Sequence, residues 1–191
     1  MEFPFGDRPI RLGILGMTEG NGLPYSWSAM FNGYEKEPME DCGFPVIPRY
    51  LEKQPKETFG IPGAKITCIC CTGYASREEA EHVARAALIP TVYDRPEEMI
   101  GNVDAVIIAT DDGNEHVDRC RPFVEAGIPM FIDKPLGNTE EDLRTFLQWR
   151  KEGAKFISSS CMRYSKDQEP YYVNRHELGD IRYICSPMAK K

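Results

Sequence analysis

Residues 103–137 read VDAVIIATDDGNEHVDRCRPFVEAGIPMFIDKPLG, and their order of strand, helix, strand decides the fold. Val103, Ala105, Val106, Ile107, Ile108 and Ala109 make a near-continuous apolar run, as in a strand covered on both faces. Residues 114–126 read as the helix that follows. Gly127 closes it, because glycine enters the left-handed turn at no steric cost. Pro122 inside that helix removes a backbone donor at a cost of about 3 kcal/mol, so a bent or short helix is expected. Residues 128–132 form the next apolar run, and Asp133-Lys134-Pro135 ends it. A charged pair where a buried strand emerges suits chemistry better than packing, since doubly wound sheets bind ligands outside the carboxyl ends of their strands.

Working toward the N-terminus, residues 10–16 (IRLGILG) read as a first strand ending in a glycine turn. Residues 25–34 read as a helix with Ser26 as a possible cap. Residues 35–64 carry five prolines and are read as an irregular surface excursion. Residues 65–72 are the second strand, Ser76-x-x-Glu79 resembles a capping box, and Thr91-Val92-Tyr93 is the third strand. Toward the C-terminus, Thr139-x-x-Asp142 opens a helix with Leu143, Phe146 and Leu147 on its apolar stripe. Residues 155–159 are a sixth strand, 169–178 are helical, and 181–185 read as a strand that begins something new. Alternation of strands and helices over residues 10–160 predicts an α/β fold, a doubly wound parallel sheet of Rossmann-like type.

Bulk properties exclude several functions. The chain has 191 residues and a net charge of -7, which argues against nucleic acid or an anionic membrane as partner. No apolar run approaches the ~20 residues that cross a bilayer. The first residues lack the cationic start and apolar centre of a signal peptide, so a cytoplasmic location is expected. Seven cysteines, an odd number, suit free thiols in a reducing compartment. On a strand, Cys68 and Cys70 face one side and Cys71 the other, so they act as small apolar side chains and not as one metal site.

Four places could carry chemistry. In the loop after the first strand, Gly16 stands as the first glycine of a G-x-G-x-x-G turn, while Thr18 and Asn21 replace the second and third. Gly20 and Gly22 restore flexibility, and Gly16, Met17 and Thr18 are the candidates to face a pyrophosphate. A plain structural turn is the alternative. After the second strand no acid occurs until Glu78. Thr72, Ser76 and Arg77 would better suit a ribose 2′-phosphate, which leans the cofactor choice toward NADP over NAD. Against that, Ser76 could be only a cap and Arg77 only a solvated charge. After the central strand, Thr110 and His116 would face the nicotinamide half. Asp111 or Asp112 could cap the helix, and a lone histidine is commonly a packing residue. Finally, Pro135 keeps Lys134 extended, and an ammonium so placed can bond a substrate hydroxyl. A surface lysine at a strand end is the bland reading.

Together these residues resemble the Gfo/Idh/MocA family of NAD(P)-dependent oxidoreductases, most specifically through DAVIIAT…H…AGIPMFIDKPLG. Asp133-Lys134-Pro135 resembles the family's Glu-Lys-Pro motif, with aspartate for glutamate. The resemblance implies that Lys134 is the catalytic lysine and that Asp133 stands beside the cofactor. It also implies that Thr110 and His116 flank the nicotinamide and that Arg163 lies near the cofactor and substrate cleft. The implied substrate is a sugar, cyclitol or related polyol, and the implied assembly of a full-length enzyme is a homo-oligomer. The family's second α/β domain supplies an aspartate and a histidine. Here only its first strand is legible, and His176 does not fit that histidine. The expectation is therefore a cofactor domain over residues 1–160, with residues 161–191 as linker helix and first strand of a truncated substrate domain. A non-catalytic nucleotide-binding or regulatory module is the alternative.

Overall fold

Alternation along each strand sends side chains to two faces, and apolar residues occupy both. The computed structural model describes residues 8–73 and 75–185. It divides into two units, Met1–Ser158 and Ser159–Lys191. The first holds six strands: β1 (Ile10–Gly16), β2 (Ala64–Cys71), β3 (Thr91–Tyr93), β4 (Ala105–Ile108), β5 (Met130–Ile132) and β6 (Phe156–Ser158). Their spatial order is β3-β2-β1-β4-β5-β6, and every pairing is parallel. The order reverses between β1 and β4, where the crevice of a doubly wound sheet forms.

Helices cover both faces. On one side Ile14, Ile69, Cys71 and Ile107 pack with α1 (Leu23–Asn32), α2 (Lys36–Glu40), α3 (Val46–Leu51) and α4 (Arg77–Ala86). On the other, Leu15, Cys68, Cys70, Val106, Ile108 and Ile132 pack with α5 (His116–Glu125) and α6 (Glu140–Lys151). The opposed facing of Cys70 and Cys71 follows directly, and burial pushes both thiols up to about 12. Thr139 and Asp142 cap α6 reciprocally, each side chain meeting the other's backbone N–H.

Three sequence expectations for the first unit are corrected. Helix α1 begins at Leu23 with Pro24 in its first turn, where a missing N–H costs nothing. Ser26 lies buried inside it and accepts a hydrogen bond from the Tyr50 hydroxyl. Residues 35–64 are not a surface excursion. Helices α2 and α3 bury Met39, Ile47 and Leu51 in the core, because a short helix survives when packing replaces propensity. Helix α5 starts at His116 with Glu115 at its N-cap, so neither Asp111 nor Asp112 caps it. With Pro122 in its interior it runs only ten residues.

The second unit contains a 3-10 turn at Cys161–Tyr164, α7 (Glu169–Val173) and a further 3-10 turn at Arg175–Leu178. Residues 181–185 form no strand here. Apolar alternation becomes a strand only with a hydrogen-bonded neighbour, and no described residue pairs with them. Among the described residues, no helix is long and apolar enough to cross a membrane.

Candidate cofactor and active site

The C-terminal edge of the sheet carries two grooves, one on each side of the β1 loop. Gly16 ends β1, and its carbonyl accepts the Thr72 N–H at 3.1 Å. A Cβ at Gly16 would stand 2.6 Å from Pro24 Cγ, so this glycine lets the strand meet α1 closely. Met17 is 2% exposed, its side chain in the core, which leaves only its backbone to a ligand. The Thr18 hydroxyl accepts the Asp111 N–H at 3.1 Å, tying the β1 loop to the β4 loop. Asn21 completes that junction. Its Oδ1 accepts the Leu23 N–H at 2.9 Å, and its Nδ2 reaches the Ala109 carbonyl at 3.5 Å.

The first groove, about 300 Å³, lies over β1, β4 and β5. Gly20, Asn21, Asp111 and Lys134 form its polar wall, while Phe44, Val46 and Ile47 from the α3 region form an apolar one. Lys134 Nζ is 3.0 Å from Asp133 Oδ2. The lysine side chain is half exposed and the aspartate only 4% exposed. A carboxylate that deep needs a partner, since an unpaired buried charge costs several kcal/mol. One partner is Lys134, which is thereby held at the mouth of the groove. The Lys134–Pro135 peptide bond is cis.

His116 joins the two loops that flank Lys134. It is fully buried, with Nε2 2.9 Å from the Thr110 carbonyl and Nδ1 3.3 Å from the Leu136 carbonyl. This is a bracing role, in line with the packing alternative. Gly113 supports it, because a Cβ there would stand 2.6 Å from Asn138 Oδ1. Thr110 is also fully buried, and its hydroxyl has no hydrogen-bond partner among the described residues.

The second groove, about 380 Å³, lies beyond β2, β3 and β4 and is lined by Thr72, Glu97, Asn114, Glu115, Asp118 and Arg119 among others. Arg119 donates to the Thr72 hydroxyl at 2.6 Å and to the Thr72 carbonyl at 3.0 Å. Ser76 caps α4 by accepting the Glu79 N–H at 3.3 Å. Arg77 is bonded to Glu81 at 2.9 Å and to Asp94, so its charge is already matched by two carboxylates. Arg163 lies in the second unit, exposed in the turn Cys161–Tyr164.

Sequence reading missed the α3 wall, Glu115 and Arg119, and it took Asn21 only as a stand-in for the third glycine of the loop, without its bonds to Leu23 and Ala109. Thr72 and Arg119 lie 47 positions apart, and only the β2–β1–β4 order brings them together. Asn21 had a local signal, an asparagine two residues before a helix start.

An open parallel sheet of order 3-2-1-4-5-6, with grooves on both sides of its reversal, is the architecture of dinucleotide-binding domains. Residues 45–159 match the family model described as an oxidoreductase family with an NAD-binding Rossmann fold, GFO_IDH_MocA. The chain belongs to that family of oxidoreductases. It is similar to inositol 2-dehydrogenase 1 of Saccharopolyspora erythraea, at 30% identity over 135 residues. That match takes in 69% of this chain and 38% of the relative. The structure of myo-inositol 2-dehydrogenase from Lactobacillus plantarum superposes with a TM-score of 0.62 at 19% identity, over 91% of this chain and 43% of that one. A Lactobacillus casei myo-inositol dehydrogenase, in complex with NAD(H) and myo-inositol, gives 0.64 at 14% identity, over 88% and 42%. At such identities the structures establish the fold alone. The chain spans about two fifths of the length of these relatives.

Proposed function

We propose that this chain binds a nicotinamide dinucleotide along the C-terminal edge of its sheet and contributes Lys134 to hydride transfer involving a cyclitol, sugar or related polyol. The single observation behind this is the placement of Lys134, ion-paired to a buried aspartate, in a groove with the β1 loop and Asp111. A nicotinamide bound there would supply the hydride donor or acceptor. The rest falls to the chain. Lys134 would bond the reacting oxygen and offset the negative charge that develops on it, and Asp133 would hold the ammonium in place. His116 would brace the loops carrying Thr110 and Lys134. Residues 18–22 would meet the diphosphate, with Gly20 open to solvent at φ 75° where a Cβ would touch no described residue within 4 Å.

The residues depart from the usual dinucleotide pattern where the diphosphate would lie. Helix α1 offers few free donors in its first turn, because Leu23 N–H is bonded to Asn21 and Pro24 has none. An anion at a helix N-terminus uses such donors. This weakens the diphosphate contact that the first reading shares with the second, a nucleotide-binding module without catalysis. Titration of NADH fluorescence tests the binding step: saturable binding displaced by NAD supports it, and no binding by the folded chain contradicts it. In an enzyme containing this chain, Lys134→Ala should lower kcat by roughly 10²–10⁴-fold, the usual contribution of a positioned proton-handling group. Unchanged turnover would remove Lys134 from the chemistry and leave this chain a nucleotide-binding role only. The homo-oligomer expectation belongs to the same proposal and is tested by sedimentation equilibrium.

A further inference from the structure

We infer that Glu115, delivered from the N-cap of α5, is the acid that reads the adenosine ribose, and that it selects NAD over NADP. The inference rests on the dinucleotide reading above and deepens it. In dinucleotide-binding sheets an acid about 20 residues beyond the glycine loop, at the end of the second strand, bonds the ribose hydroxyls. Strand β2 ends in Cys70-Cys71-Thr72-Gly73 and supplies none.

Helix α5 supplies one from the other side. Glu115 Oε2 accepts the Arg119 Nε–H at 2.8 Å and lies 2.7 Å from Arg119 Nη2. The same guanidinium bonds the Thr72 hydroxyl and carbonyl, so one partly buried arginine clamps the carboxylate to the end of β2. Gly73 makes room for this. A Cβ there would stand 2.9 Å from Arg119 Nη2 and 3.8 Å from Glu115 Oε1. The arginine side chain is 10% exposed and the glutamate 40%, so Arg119 is the positioning residue and Glu115 the one that meets solvent. Arg119 engages Oε2, and Oε1 is the carboxylate oxygen beside Gly73.

Charge points the same way. The groove gathers Glu97, Glu115 and Asp118 against the single guanidinium of Arg119. A carboxylate accepts hydrogen bonds from a vicinal diol but repels a 2′-phosphate. Arg77, the residue behind the sequence-based lean to NADP, already holds Asp94 and Glu81.

The test is calorimetric titration of the chain with NAD and with NADP, for wild type, Glu115→Gln and Glu97→Gln, each shown to be folded by its melting curve. The expected result is NAD binding at least about tenfold tighter than NADP in wild type. Glu115→Gln should erase most of that preference, while Glu97→Gln keeps most of it. A wild-type preference for NADP, a Glu115→Gln ratio within twofold of wild type, or equal shifts in both variants would overturn the role of Glu115 and leave the dinucleotide reading standing. Failure of wild type to bind either cofactor would defeat that reading, and this inference with it.

Discussion

Replacing Gly16 with alanine should destabilise the fold through one contact, and the structure says which. The new methyl carbon would stand 2.6 Å from Pro24 Cγ, against the ~3.5–4.0 Å at which carbon atoms rest. Close to 1 Å must be found somewhere. Pro24 is a ring in the first turn of α1, buried in the structure, and it has no rotamer to escape into. Overpacking of this kind costs about 1–3 kcal/mol. For a chain of this size each kcal/mol lowers the melting temperature by about 2–4 °C. The assay is urea unfolding followed by tryptophan fluorescence, with Gly16→Ala made both in the wild-type chain and in the Pro24→Ala variant. Truncating the proline removes Cγ, and the next carbon in range that survives, Cβ, is 3.8 Å away. Gly16→Ala should therefore cost about 1 kcal/mol or more when Pro24 is intact and about half that or less in the Pro24→Ala variant, a coupling that a double-mutant cycle isolates. Equal penalties in both backgrounds would refute the claim that Gly16 exists to let β1 meet α1.

Three further outcomes follow from the packing and the charges. Phe146 is 1% exposed and sits edge-on to Trp149 and Phe156 at 5.3 and 5.5 Å, so Phe146→Ala should lower the guanidinium unfolding free energy by about 3–5 kcal/mol. Hydrogen bonds from Arg8 and then Arg11 hold the Asp104 carboxyl well below the usual carboxylate range. A depressed folded-state pKa adds stability above the unfolded value near ~4, lost as pH falls through the folded one. The stability gap between wild type and Asp104→Asn should thus be full at neutral pH, begin to shrink near about pH 4 and keep shrinking as pH falls further, as read from unfolding curves across that range. Finally, Cys161 and Cys185 are exposed and the other five cysteines buried, so a thiol reagent should label two sites quickly in the native chain and the rest only on unfolding.

Much of this architecture was legible in the sequence because its signals are local. Ile14 and Leu15, Cys70 and Cys71, and Ile107 and Ile108 alternate between the two cores, as strand periodicity requires. Ser76 and Thr139 announced α4 and α6 by their capping chemistry. The misses have physical causes. Helices α2 and α3, of five and six residues, are too short to show a period, and burial of Met39 and Leu51 holds them. Residues 181–185 had the composition of a strand but no partner among the described residues to make them one. Within the candidate site, Lys134 was visible because a strand end and a proline frame it. Glu115 was not, since nothing near it in the chain says that Arg119 will draw it to Thr72.

Determining the structure of the chain with NAD bound tests the central claim most directly. The account expects the nicotinamide beside Lys134 and Asp111, the diphosphate over residues 18–22, and the adenosine ribose against Thr72 and Glu115. A dinucleotide seated anywhere other than the C-terminal edge of β1 and β4, or with its nicotinamide remote from Lys134, would contradict it.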